Sequence, residues 1–229
     1  MHASSWPDLP AHIDHTILRP DATRADVRRL CEEAVRYEFR VVFVPPCHIA
    51  EAADVLAGTS IRVGIPVGFP LGGHTTTAKV HEAIEGVTHG AAIVDMVINI
   101  SQLKSGNHDA VHTDVREVVV ATPSVEHKVI LETCYLTQQE KVTACRLVVE
   151  AGAEYVKTST GFGPAGATVA DVALLSEAVG EKAKVKASGG IRDLTTTVAM
   201  LRAGAHRIGT SAGVNILAEW SQQSSSRSR

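Results

Sequence analysis

Aromatic residues are scarce in this chain of 229 residues, at 4% of positions, which argues against an aromatic-rich β-sandwich. Cysteine is scarce as well: Cys31, Cys47, Cys134 and Cys145 are spaced by 16, 87 and 11 residues, matching neither a C-x-x-C zinc pair nor a small disulfide scaffold. They are expected as reduced core thiols. Basic charge is not in surplus, since 22 Lys+Arg against 25 Asp+Glu leave a net charge of -3, so no nucleic-acid partner is expected. No run approaches the roughly 20 uncharged apolar residues of a membrane span. The opening MHASSWPDLPAHIDHT has no apolar export core, so a soluble, cytoplasmic chain with no membrane partner is expected. Apolar residues make up 45%, enough for one sizeable core, and this excludes wholesale disorder.

What the chain does have is alternation. Short β-branched runs begin at Ile13 (IDHTIL), Arg40 (RVVFVP), Ile61 (IRVGIPVGF), Ile93 (IVDMVIN), Lys128 (KVILET), Tyr155 (YVKTST), Lys184 (KVKAS) and Arg207 (RIGTS). Between them lie amphipathic stretches such as TRADVRRLCEEAVRY, whose Val27, Leu30, Cys31 and Val35 are spaced as one helical face. TTTAKVHEAIEGVTH, HDAVHTDVREVVVAT, TQQEKVTACRLVVEAG, TVADVALLSEAVG and LTTTVAMLRAG read the same way, several opening after Thr or Asp and ending at Gly. Eight strands in strict alternation with helices predict an α/β fold, a closed (β/α)8 TIM barrel, because an open doubly wound sheet of this length has fewer strands. No Pro/Ser-rich linker divides the chain, so residues 1–220 are expected to form a single barrel domain and residues 221–229, SQQSSSRSR, a disordered tail.

In such a barrel chemistry gathers at the C-terminal ends of the strands, so polar residues inside strands stand out. Lys157 in YVKTST and Lys186 in KVKAS fall on consecutive strands, which lie about 4.8 Å apart. Two inward lysines there disfavour each other's charge, by desolvation and by repulsion, leaving one amine neutral near pH 7 and nucleophilic toward carbonyls. Either lysine taken singly fits snorkelling to the rim or pairing with a carboxylate; two on neighbouring strands favour the functional reading. Asp95 interrupts the apolar run IVDMVIN and is placed to accept from Lys186, as a proton relay or as a purely structural buried pair. Asp14 in IDHT carries the same ambiguity. SGGIR (Ser188 to Arg192) and GTSAG (Gly209 to Gly213) follow the last two strands and run toward helices, where glycine N–H groups suit a phosphate; tight turns alone are the alternative. GFGPAG has Gly161, Gly163 and Gly166 at dinucleotide-fingerprint spacing, but Pro164 interrupts it. Asn99-Ile100-Ser101 is a glycosylation sequon without an export signal, and the 11 histidines, His12, His15, His74 and His89 among them, show no metal-ligand spacing.

VKTSTGF around Lys157, VKASGGIR around Lys186, VDMVIN around Asp95, IDHT at Asp14 and RIGTSAG near the end resemble the deoxyribose-phosphate aldolase family. VGFPLGGHTTTAKVHEA, LKSGN, KVILET and GATVADVALL extend the resemblance from about Ile13 to Leu217. It implies a (β/α)8 class I aldolase that reversibly cleaves 2-deoxy-D-ribose 5-phosphate to acetaldehyde and D-glyceraldehyde 3-phosphate, acting as a homodimer and without metal or organic cofactor. It also implies roles: Lys157 as the Schiff-base lysine, Lys186 as the companion that lowers its pKa, and Asp95 as the carboxylate working with Lys186 in proton transfer. Asp14, Thr160, Gly189, Gly190, Gly209 and Ser211 are the implied substrate-binding residues, the last four for the phosphate.

The chain departs from the family's pattern at a few positions. Ala212 stands where Ser often follows GTS, removing one hydroxyl from the phosphate loop, and Phe43 stands where relatives often carry Cys. Ile93 replaces a usual Glu, and the last residue is Arg229 rather than Tyr. Other readings are a different phosphate-binding barrel enzyme, transaldolase-like or a sugar-phosphate isomerase, or a non-catalytic barrel that binds a sugar phosphate. An isomerase would not need the lysine pair, and intact Lys157, Lys186 and Asp95 argue against a mere binder.

Overall fold

In the computed structural model, which describes residue 6 and residues 8–225, eight parallel strands close into a barrel in the order β1 to β8. They are β1 Ile13–Thr16, β2 Val41–Phe43, β3 Arg62–Val67, β4 Ile93–Val97, β5 Glu126–Ile130, β6 Tyr155–Lys157, β7 Lys184–Ser188 and β8 Arg207–Thr210. Every strand expected from a β-branched run is present. Around them lie α1 Arg24–Arg36, α2 Ile49–Val55, α3 Thr76–Thr88, α4 Ile100–Lys104, α5 His108–Ala121, α6 Gln138–Ala151, α7 Val169–Val179, α8 Leu194–Arg202 and α9 Gly213–Ser225. Helices α2 and α4 are too short to leave a periodic signal in the sequence.

Local chemistry sets the helix boundaries. Thr23 and Thr137 open α1 and α6 with reciprocal capping boxes to Asp26 and Glu140, while Thr75, Thr168 and Asp193 cap α3, α7 and α8. Val27, Leu30 and Cys31 of α1 join one buried layer with strand residues such as Val42, Val94 and Val156. Val35, expected on that face, is 53% exposed. Ala34 is buried in its place, because position 34 is three or four residues from both Cys31 and Leu30 and so lies directly over them.

The inner faces of the strands make a different interior. Val41, Phe43 and Ile93 form a small apolar plug. Gly64 pairs with Phe43 across β2 and β3, and a Cβ there would lie 2.5 Å from the ring. The rest of the bore is charged, with Asp14, Asp95, Lys128, Lys157 and Lys186 each at most 4% exposed.

Two expectations change. Cys31 and Cys145 are buried, and burial pushes their thiols up to about 11 and about 12. Cys47 is exposed and Cys134 half-buried, because both sit in short 3₁₀ turns rather than on packed helix faces. The tail also begins later than residue 221, since α9 continues through Ser225. Buried Ile216 and Leu217 anchor that helix, Ser221 Oγ donates to the Leu217 carbonyl at 2.9 Å, and extending a formed helix is easy. The rest of the expected tail, 226–229, lies outside the described residues.

Candidate active site

Strand register brings the two lysines together. Lys157 ends β6 and is the direct neighbour of Lys186 on β7, as alternation on consecutive strands predicts. Asp95 reaches them from β4: its Oδ2 accepts from Lys157 Nζ and from Lys186 Nζ, each at 2.7 Å. The contact expected between Asp95 and Lys186 is therefore present, and Lys157 shares it. Lys186 Nζ also lies 2.7 Å from Asp14 Oδ2, while Asp14 Oδ1 accepts from Arg207 Nε at 2.8 Å.

Electrostatics then separate the lysines. Burial pushes the Lys157 amine down to about 8 although Asp95 pulls the other way, and Lys186 adds to the fall. Lys186 meets the same burial, but Asp14 and Asp95 together hold it above the ordinary lysine value. Burial alone would raise both carboxyls; Lys157 and Lys186 at Asp95, with Lys186 and Arg207 at Asp14, outweigh it and hold them below the usual carboxylate range. An amine with a pKa of about 8 is roughly one-tenth neutral at pH 7 and half neutral at pH 8. The expectation of an amine neutral near pH 7 left out the pull of Asp95 on Lys157.

A cavity of about 550 Å³ opens at the C-terminal ends of the strands. Lys157, Thr160, Gly189, Gly190, Gly209 and Ser211 border it, whereas Asp95, Lys186 and Asp14 do not. Asp14 is fully buried with its oxygens facing Lys186 and Arg207, so the structure places it behind Lys186 rather than at the cavity wall. Gly189 and Gly190 have φ of 88° and 78°, which strains any side chain. Gly166 packs so closely on this loop that a Cβ would fall 2.1 Å from the Gly189 carbonyl oxygen. Thr210 Oγ1 donates to the Ile191 carbonyl at 2.7 Å and accepts from the Ala212 N–H at 2.9 Å, tying the SGGIR loop to the GTSAG loop. Asp193 already accepts from the Thr196 N–H at 2.7 Å, so α8 carries its own anion at its N-cap. An anion at this rim would meet the loop glycines and the start of α9.

Two residues escaped the sequence reading. Lys128 on β5 is fully buried, paired with Glu126 and 3.9 Å from Asp95 Oδ1. Its signal was the alternation of Glu126 and Lys128 along β5, both on one face. Glu132 sits just after β5 at φ 53° and accepts from the Thr160 N–H at 3.3 Å and from its hydroxyl. Thr160 thus borders the cavity with its donors engaged. A left-handed glutamate leaves no mark that a sequence pattern reveals. Among the described residues, no group of three or more His, Cys, Asp or Glu is placed to hold a metal ion, and no helix is long and apolar enough to cross a membrane.

A closed parallel barrel whose cavity is bordered by one poised, buried amine and by glycine loops suited to an anion defines a class: a (β/α)8 enzyme equipped for imine chemistry on a carbonyl compound. A model of the DeoC/LacD family aldolases matches residues 10–219. The chain is 54% identical over 213 residues to the deoxyribose-phosphate aldolase of Thermoanaerobacter sp. (strain X514), covering 92% of this chain and 96% of that one. To the deoxyribose-phosphate aldolase of Methanothermobacter thermautotrophicus it is 52% identical over 221 residues, covering 96% and 98%. The tetrameric deoxyribose phosphate aldolase of Aeropyrum pernix superposes with a TM-score of 0.88 at 33% identity, over 94% of this chain and 92% of that one. The chain belongs to the DeoC/LacD aldolase family, and it is a carbon–carbon lyase.

Proposed function

We propose that the chain cleaves 2-deoxy-D-ribose 5-phosphate reversibly to acetaldehyde and D-glyceraldehyde 3-phosphate through a Schiff base on Lys157. One observation carries this reading: of the buried lysines in the bore, Lys157 alone borders the cavity, and burial pushes its amine down to about 8. The neutral amine adds to C1 of the open-chain sugar, and with one proton taken up from solvent the hydroxyl leaves as water, giving an iminium. That nitrogen draws in the electron pair of the C2–C3 bond as the bond breaks, while the C3 hydroxyl passes its proton through a water to Asp95 beside Lys186. D-Glyceraldehyde 3-phosphate departs with C3 to C5, and a two-carbon enamine stays on Lys157. A water held by Asp95 and Lys186 returns that proton to C2 of the enamine, and hydrolysis of the resulting iminium frees acetaldehyde, the neutral amine and a proton.

The other residues follow from their places. Gly189, Gly190, Gly209 and Ser211 hold the phosphate, so that its binding energy orients the reacting carbons. Asp14 keeps Lys186 charged, and Thr160, engaged by Glu132, shapes the cavity wall. The steps balance without a metal or organic cofactor. A cytoplasmic homodimer is the assembly and location proposed with this activity; the tetrameric relative supports self-association, and light scattering counts the subunits. Borohydride reduction in the presence of 2-deoxyribose 5-phosphate, followed by peptide mass spectrometry, is expected to place the adduct on Lys157. An adduct elsewhere, or none from folded protein, overturns the assignment.

A further inference from the structure

Cations outnumber anions inside the barrel. Strand β1 brings Asp14, β4 Asp95, β5 Glu126 and Lys128, β6 Lys157 and Tyr155, β7 Lys186 and β8 Arg207, while β2 brings the uncharged Phe43. Burial pushes the Tyr155 phenol up to about 12, so it stays neutral. Strand β3 adds only Arg62, exposed at the rim 3.3 Å from Glu126, and Lys184 at the start of β7 is exposed as well. The set within the bore is three carboxylates, Asp14, Asp95 and the partly exposed Glu126, against four cations, Lys128, Lys157, Lys186 and the partly exposed Arg207. Each carboxylate has a cation without Lys157: Arg207 and Lys186 serve Asp14, Lys186 serves Asp95, and Lys128 serves Glu126.

We propose that Lys128 is a positioning residue for the aldol reaction: its enclosed ammonium, locked by Glu126 and facing Asp95, supplies the surplus positive charge that makes Lys157 release its proton. Three features of the geometry support this. Lys128 is 0% exposed, so solvent does not screen its charge. Its Nζ lies 5.7 Å from the centroid of the Phe43 ring, over which Lys157 Nζ (5.5 Å) and Lys186 Nζ (3.7 Å) also stand, so the three ammonium groups crowd one small volume. Lys128 has its own carboxylate in Glu126 and the Tyr155 ring at 4.9 Å, whereas Lys157 shares its only close carboxylate with Lys186. Burial pushes the Lys128 amine down as well, against the pull of Asp95 and Asp14. Lys128 keeps its proton through Glu126, a carboxylate that it does not share with another lysine, so the proton is given up by Lys157, which has none of its own.

The proposal rests on the Schiff-base reading, and its test separates the two. Lys128→Met keeps the length of the side chain and brings the bore's set to three against three. Retro-aldol rates and borohydride trapping are compared with the parent from about pH 6 to about pH 10. The adduct on Lys157 is expected to persist, and the acid limb of kcat/KM to move up by about one pH unit or more, with about a tenfold loss near neutrality that recovers in alkali. An equal loss at every pH, an unmoved limb, or no adduct from folded variant while the parent forms one overturns the proposal; no adduct from the parent overturns the Schiff-base reading itself. Should Lys128→Met fail to fold, Glu126→Gln, at a partly exposed position, carries the opposite sign. With one anion fewer the limb is expected to move to lower pH, and an unmoved or raised limb overturns the proposal.

Discussion

Lys157→Met is predicted to abolish Schiff-base formation while making the protein more stable near neutral pH. The amine falls from 10.5 to about 8 on folding, which at about 1.4 kcal/mol per tenfold is roughly 3 kcal/mol of native-state destabilisation while the lysine is charged. The side chain is only 5% exposed, so little of this is lost to solvent screening. Below pH 8 folded and unfolded chains both hold the proton, and the penalty is complete. Between pH 8 and 10.5 the folded chain has released a proton that the unfolded chain still binds, so stability climbs with pH. Above 10.5 both amines are neutral and the penalty is gone. Methionine has nearly the same length and no charge. The stability of the variant relative to its parent should therefore be greatest below pH 8 and fall by roughly 3 kcal/mol toward pH 10.5, on top of any constant difference in packing. Urea unfolding of both proteins at neutral and alkaline pH measures it. At about 2–4 °C per kcal/mol for a chain of this size, the relative Tm should drop by roughly 6–12 °C over the same range. A relative stability that is flat or rises with pH would refute the argument that burial of charge poises this amine.

Two further outcomes test other parts of the structure. Gly166→Ala puts a Cβ 2.1 Å from the Gly189 carbonyl and so displaces the glycine loop; KM for 2-deoxyribose 5-phosphate should rise about tenfold, an energy of about 1.4 kcal/mol, with little change for unphosphorylated 2-deoxyribose in the same steady-state assay. Asp114→Asn strands Lys79, which is fully buried between α3 and α5 and lies 2.5 Å from the Asp114 carboxylate; thermal melts should show a loss of about 3–5 kcal/mol while kcat, measured well below the melt, stays unchanged.

The strands were legible because parallel barrel strands are buried on both faces and therefore read as β-branched runs between capped helices. The lysine pair was legible for a related reason, since neighbours in sequence order are neighbours in the sheet. What was not legible depends on contacts made across the bore or between helices. Lys128 looked like the first residue of a strand, and only its inward face shows it to be buried. The family resemblance implied a substrate contact for Asp14, while its place on a strand left a relay or a buried pair open; its position behind Lys186 becomes visible only with β1 paired to β8. Lys79 and Asp114 lie on separate helices 35 residues apart, with no local pattern to join them.

Barrel closure is what turns these residues into a site. In an open sheet Asp95 on β4 and Lys186 on β7 would be separated by three strand spacings of about 4.8 Å each, roughly 14 Å, beyond the reach of any hydrogen bond. Closure curls the two strands to face one another, and the same side chains meet at 2.7 Å. Burying this much charge is costly, and the apolar plug of Val41, Phe43 and Ile93 is too small to offset it. The offset comes from outside the barrel, where the opposite faces of the same strands pack against the helices in one continuous apolar layer. A strand residue one step from Lys157, Val156, belongs to that layer. Alternation along β6 therefore assigns neighbouring residues to opposed tasks, one to stability and one to an amine that the fold holds in an unfavourable charge state.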